Sequence, residues 1–474
     1  MPVGFGVPRR TAPRVVSVLA LTSVFALVQA REAIGQDAAL KRPLGQELPL
    51  YVPESNDLEP RRAPEIQNPS GSLSLRDALS LALVQNPGLA AFAWETRARE
   101  ARVLQAGRPP NPVVSVILED LGARQFAAGG VNEPVQPQTT IQLSQLIELG
   151  GKRAARERLA VANRDLAAWD YETARIAVLT QVARAFTDVL AAQETVAQIE
   201  RTTRLVQEVR QSVGLRVTAG VVSPIEETRA SVAAASVGVE LARARRLLEA
   251  SRVRLVALWG GSTAVFTSVQ GSLQALPTDL PTFEAIKLKV EQNPELARWA
   301  AEIVQREAAI AVERSKAVPD VSVVGGYRRF TEVDANAFVI GASISLPVLD
   351  KNRAGIQEAQ GRLAKAYEER RAVEGRVFSA LGDAFAVVAA AHDEITTLRD
   401  AVLPGSQQAF EAVSEGYRLG RFGYLDVLES QRTLIAAGSQ FLRALADYHK
   451  AVADVERLMG APFSDAAGRT TARE

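Results

Sequence analysis

The sequence predicts a mainly α-helical chain with a small β part, built from two copies of one unit and completed only by assembly with further copies. Three observations lead there. The chain repeats itself at a spacing of about 200 residues; each copy contains about 70 residues of nearly unbroken helical signal; and each copy holds two strands with one apolar and one small, polar face.

The repeat is read directly. Asn86-Pro87 recurs as Asn293-Pro294, and PVVSV (112–116) recurs as PDVSV (319–323), both at an offset of 207 residues. Gly220 then pairs with Gly420, and Trp259-Gly260 with Met459-Gly460, at an offset of 200. The seven-residue difference lies between Val116 and Arg153, where a loop carrying Gly129, Gly130, Pro134 and Pro137 outgrows its counterpart around Thr331 to Ala337. Such self-similarity sets the architecture before any single residue is weighed.

The elements follow in chain order. Arg9, Arg10 and Arg14 precede the apolar run Val15 to Val28, too short to span a membrane but fitted to an export signal, so residues 1–30 are assigned to a signal peptide, with Ala30 offering a cleavage point and Gly35 a later one. A short buried helix is the alternative. Residues 31–72 are read as an extended arm, because prolines 43, 49, 53, 60, 64 and 69 each remove a backbone donor. The first structural repeat is assigned to residues 73–260, a linker to 261–281, the second repeat to 282–460 and a polar tail to 461–474.

Each repeat reads helix, strand, loop, strand, very long helix, tight turn, long helix. The first helix runs from about Leu75 to Ala106, interrupted at Asn86-Pro87, and its counterpart from about Phe283 to Ala317. In the strands, Val114, Val116 and Leu118 alternate with Ser115; Ile141 and Leu143 alternate with Gln142 and Ser144; Ile340, Ala342, Ile344 and Leu346 alternate with Gly341, Ser343 and Ser345. From Lys152 to Ala219 no proline occurs, which as one helix would reach roughly 100 Å. Leu159, Ala162, Leu166, Trp169, Thr173, Ile176, Leu179, Ala183, Phe186 and Leu190 form a seam of coiled-coil spacing. The second copy repeats this from about Asn352 to Leu419, with Pro404-Gly405 expected to kink or break it.

Closure follows from the strands. Strands of 9 to 11 residues match a tilted membrane crossing. Four of them cannot close a barrel, and open edges in hydrocarbon leave backbone groups without partners. Three chains would give twelve strands and a water-filled bore. A soluble four-stranded sheet packed on helices, as in a periplasmic coiled-coil scaffold without a pore, is the other arrangement compatible with these features.

Composition excludes other classes. Lys and Arg number 55 against 54 Asp and Glu, so no basic surface announces a nucleic-acid partner. Cysteine is absent, only His392 and His449 and the methionines Met1 and Met459 remain as softer ligands, and no metal site or cofactor is expected. Both histidines are read as solvated. No Walker loop, dinucleotide fingerprint, HExxH or GxSxG occurs, so the chain is not expected to be an enzyme.

The chain resembles outer-membrane factors of the TolC type, nearest the cobalt–zinc–cadmium resistance branch that works with resistance-nodulation-division pumps. Three stretches carry this: LSLRDALSLALVQNPGLAAFAWETRAREARVLQAGRPPNP (73–112), QLSQLIELGGKRAARERLAVANRDLAAWDYETAR (142–175) and YRLGRFGYLDVLESQRTL (417–434). The resemblance implies a homotrimer with a 12-stranded β-barrel in the outer membrane of a Gram-negative bacterium, in contact with its lipid. A 12-helix periplasmic α-barrel holding most of the mass would continue it. It further implies a passive efflux duct served by a periplasmic adaptor (membrane fusion) protein and an inner-membrane pump, exporting divalent heavy metals; drug, solvent or secreted-protein cargo is the alternative.

The two hairpin turns hold the candidate site residues. They are Ala219-Gly220-Val221-Val222-Ser223-Pro224 and Leu419-Gly420-Arg421-Phe422-Gly423-Tyr424. Glycine supplies the left-handed helix end, and Ser223-Pro224 the next start. Glu226, Glu227, Asp426 and Glu429 sit in first turns where they complement the helix dipole, which is a sufficient structural role. The resemblance adds that Asp426 and Glu429 face the pore axis at the periplasmic entrance, and that Tyr417 bonds across to the other hairpin, where Glu226 holds the acid position. Phe422 stands where the best-known member has an arginine, with Arg421 one place earlier. Arg216, Gly220, Val221, Ser223, Arg418, Gly420 and Phe422 are the adaptor-contact candidates.

Overall fold

The computed structural model describes residues 44–49, 69–126 and 132–466; the signal segment and most of the arm and tail lie outside the described residues. In the first repeat the chain forms β1 (Gly71–Leu73), α1 (Leu75–Gln85), α2 (Pro87–Ala106), β2 (Val113–Glu119), β3 (Arg124–Phe126), β4 (Asn132–Pro134), β5 (Gln138–Ile147), α3 (Lys152–Thr218) and α4 (Pro224–Ala257). Then come β6 (Phe266–Val269), α5 (Phe283–Lys287), α6 (Pro294–Lys316), β7 (Val321–Phe330), β8 (Ala335–Ile344), α7 (Arg353–Thr397), α8 (Leu403–Arg418) and α9 (Tyr424–Met459). The chain is mainly helical, internally duplicated and carries a small sheet.

The repeated Asn-Pro pairs have a shared geometry. Asn86 Oδ1 accepts from the Leu89 N–H at 2.9 Å and caps α2, while its Nδ2 donates to the Leu258 carbonyl at 2.7 Å. Asn293 does the same, accepting from Glu295 N and donating to the Leu458 carbonyl, each at 2.7 Å. Each asparagine therefore starts one helix and holds the end of the long hairpin in its own repeat. Beside those ends Trp259 and Met459 are fully buried in the largest apolar core. Gly460, at φ +71°, faces the Gln292 carbonyl so closely that a Cβ would lie 2.5 Å from its oxygen. Gly460→Ala is expected to cost about 2 kcal/mol through left-handed strain and displacement. Thermal melting of the purified protein reads this directly, and an unchanged midpoint would refute it.

The four long strands form one antiparallel sheet in the order β2-β5-β7-β8. Register puts Val116, Ile141, Tyr327 and Phe338 in one cross-sheet row, and Val114, Leu143, Gly325 and Ile340 in the next. This face is apolar and open, with Phe338 86% and Ile340 88% exposed. The other face carries Ser115, Gln142 and Ser343, and its Arg328 pairs with Glu119 at 2.9 Å. β2 is shorter than expected, seven residues, because Asp120 at φ +61° turns the chain. The extra loop of the first repeat holds the small β3–β4 hairpin.

α3 runs unbroken for 67 residues. Of its expected seam, Ala162, Ile176, Leu179, Phe186 and Leu190 are buried and the other five half-buried. In the second copy, where a kink or break was expected at Pro404, the α-helix is interrupted by a wide turn rather than broken. Leu398–Val402 forms a π-helical turn in which the Leu403 N–H donates to Leu398, five residues back. Widening the turn there accommodates a residue that has no N–H of its own. Within the linker, β6 pairs in parallel with β1 and ties the start of the first repeat to the segment between the repeats. Phe463–Ala466 adds a 3₁₀ turn after α9, with Phe463 buried. Among the described residues no helix is long and apolar enough to cross a membrane.

Candidate functional site

The far end of the helices, away from the sheet, carries the two hairpin turns, and they are built alike. Gly220 and Gly420 take φ +71° and +76°. The Val221 N–H donates to the Arg216 carbonyl at 2.9 Å, and the Arg421 N–H to the Gly416 carbonyl at 2.8 Å. Each is the six-residue closure of a left-handed helix end. The next helix restarts differently in the two copies. Ser223 Oγ accepts from Ile225 N at 3.4 Å, whereas in the second copy the Gly423 N–H donates to Asp426 Oδ2 at 2.8 Å. Asp426 is therefore a helix cap as well as an exposed acid. Glu429, one turn on, is exposed and makes no side-chain hydrogen bond or ion pair among the described residues.

Between the turns lies a second, separate apolar core of Val213, Ala230, Phe410, Tyr417, Tyr424 and Val427. Tyr417 is 4% exposed. The structure brings Tyr417 and Glu226 together, the phenol donating to Glu226 Oε2 at 3.3 Å across 191 residues of sequence. Burial, and after it the negative charge of Glu226, push the Tyr417 phenol above its ordinary pKa, so it keeps its proton and remains a donor. The Tyr424 ring meets it edge-on at 6.1 Å, and burial raises that phenol too. Tyr417→Phe would remove one hydrogen bond while keeping the ring contacts.

The remaining candidates separate into two groups. Gly220, Val221, Ser223, Arg418 and Gly420 lie exposed at the tips, Arg418 reaching Glu415 at 3.4 Å. Arg216 instead crosses to the other hairpin, its guanidinium 4.4 Å above the Tyr417 ring. Phe422 folds back over Gly416, where a Cβ would overlap its ring, so it is a packing residue that remains half-exposed. Tyr424, Gly416 and the crossing of Arg216 were not legible as site features. The aromatic directly after Gly423 was the one available signal.

The two histidines are not free in solvent. His392 Nε2 lies 3.4 Å from the Pro277 carbonyl and His449 Nε2 2.8 Å from that of Leu273, both half-buried against the linker. Among the described residues no group of three or more His, Asp or Glu side chains is placed to hold a metal ion.

Known proteins place this architecture. The family model described as outer membrane efflux protein matches residues 78–261 and again 285–461, the two repeats. The cobalt-zinc-cadmium resistance protein CzcC of Cupriavidus metallidurans is 36% identical over 391 residues, covering 82% of this chain and 91% of that protein. The nickel and cobalt resistance protein CnrC of the same organism is 29% identical, over 62% of this chain and 67% of its own length. The outer membrane protein VceC of Vibrio cholerae superposes with a TM-score of 0.67 at 17% identity, covering 82% of this chain and 96% of that one. With both repeats matched and most of the chain aligned to a relative of this kind, the chain belongs to the outer membrane efflux protein family.

Proposed function

We propose that this outer-membrane efflux protein works as a homotrimer and passively releases divalent heavy-metal cations delivered by a resistance-nodulation-division pump through a periplasmic adaptor. The observation that carries the assembly is the sheet: an exposed apolar face bounded by two strands, β2 and β8, whose outer edges have no partner among the described residues. In hydrocarbon such edges are untenable, and pairing β8 of one copy with β2 of the next satisfies both. A second feature agrees. Ile225, Val232 and Val239 keep a heptad spacing along α4 yet are 52% to 71% exposed in the single chain, a seam that wants a neighbouring helix. An open apolar sheet face also disfavours a soluble scaffold.

Metal cargo is supported by the 36% identity to a cobalt-zinc-cadmium resistance protein. A duct needs no tight ligands, since passage requires sites that release as readily as they bind. Asp426 and Glu429 of three copies would present six carboxylates at the periplasmic entrance, attracting cations and repelling anions. The exposed tip residues Gly220, Val221, Ser223, Arg418, Gly420 and Phe422 would meet the adaptor. The chain itself performs no hydrolysis, and the energy comes from the pump.

Deleting the gene is expected to lower tolerance to cobalt, zinc and cadmium, while a parallel panel of drugs shows little change; the reverse pattern would reassign the cargo. In planar bilayers, Asp426→Ala with Glu429→Ala is expected to weaken cation selectivity or raise single-channel conductance. Unchanged traces would remove both acids from the gate.

A further inference from the structure

We infer that Arg216 is a positioning residue that clasps the two hairpin tips together. This deepens the gate reading above and rests on it. The main chain of Arg216 closes its own turn, its carbonyl accepting from Val221 N at 2.9 Å. Its side chain closes the other: Nη1 donates to the Tyr417 carbonyl, which also receives the Gly420 N–H at 3.0 Å. One residue thereby joins both helix ends, with a positive charge at the C-terminus of α8, where the helix dipole favours it.

Stacking adds to this. The guanidinium lies 4.4 Å over the Tyr417 ring, and Tyr417 is itself pinned by Glu226 and Tyr424. Arg216 is half-buried, so the cation is partly withdrawn from water, where such contacts strengthen. Moving the second hairpin away from the first must break the stack, the carbonyl bond and the phenol–carboxylate bond together. Phe422, folded over Gly416, takes no part in that triad.

The test is a conductance cycle on the purified full-length protein in planar bilayers, with assembly checked by native gel. R216A is expected to raise the open fraction about tenfold. R216K, which keeps the charge but not the planar fork, should fall between R216A and the unsubstituted protein. In a Y417F background, which keeps ring and carbonyl, R216A should retain its full effect; in a Y417L background, which keeps only the carbonyl, it should retain only part of it. R216A should multiply with E226Q, which acts on the other contact. Unchanged conductance in R216A while E226Q opens the channel would overturn the clasp and leave the gate reading standing. Unchanged conductance in R216A, Y417F and E226Q together would overturn the gate reading itself. If R216A fails to assemble, R216K decides, and normal conductance in it counts against the inference.

Discussion

Ile340→Arg is expected to leave the protein uninserted, with the outer-membrane fraction emptied and the chain degraded or aggregated. Ile340 stands mid-strand in β8 on the apolar face and is 88% exposed. Arginine at the middle of a barrel's lipid face costs about 2–4 kcal/mol, and a trimer would carry that cost three times. Native stabilities are only about 5–15 kcal/mol, so the sum is decisive. Ser343→Arg, on the opposite face of the same strand, is the control and should insert, because in the proposed barrel that face turns away from lipid. Fractionation after carbonate or urea extraction separates the outcomes. Normal insertion of the Ile340 variant would mean that this face does not meet lipid.

The second large effect is expected at Arg175. Its side chain and that of Glu172 are 1% and 3% exposed and paired at 2.9 Å on adjacent turns of α3. Arg175 Nη2 also donates to the Leu44 carbonyl at 2.8 Å, and Gly45 packs against the same guanidinium. Leu44 and Leu48 lie on Leu83, Leu89 and Leu179, so this stretch of the arm is fastened both by apolar contact and by one charged donor. Arg175→Ala is expected to cost about 3–5 kcal/mol, because it breaks a buried ion pair and removes the donor that serves the Leu44 carbonyl. It should also expose residues 44–49 of the arm to protease. Replacing both members by leucine and methionine should cost far less. The exposed pair Arg245–Glu200 makes the contrast, worth at most about 1 kcal/mol. Melting and limited proteolysis of the Arg175 variant indistinguishable from the unsubstituted protein would sink the assignment.

Much of the fold was legible because its signals are periodic or repeated. The offsets of 207 and 200 residues placed the two units, and the proline-free run after Lys152 placed α3 to within a residue of its end. The helix breaks at Asn86 and Asn293 and the turns at Gly220 and Gly420 follow from residue chemistry alone. What escaped depends on pairs far apart in the chain. β1 and β6 are three and four residues long and meet across almost 200 residues, so neither carries a readable pattern by itself. At Pro404 the local sequence offers a kink or a break, whereas the packed helix takes up the proline with a wide turn. At the tips, residue types showed where the chain reverses. They could not show that Arg216 leans across to Tyr417, or that Phe422 needs a bare Gly416 beneath it. His392 and His449 found carbonyls in a linker whose path no local rule fixes.

The open margins of the sheet carry a genetic consequence. In the proposed assembly each subunit engages a neighbour through β2 and another through β8, so a lesion confined to one margin spoils a ring that intact subunits have already entered. An allele with proline in β8 should therefore be dominant over a sound copy expressed beside it. An allele that never leaves the cytoplasm should be recessive.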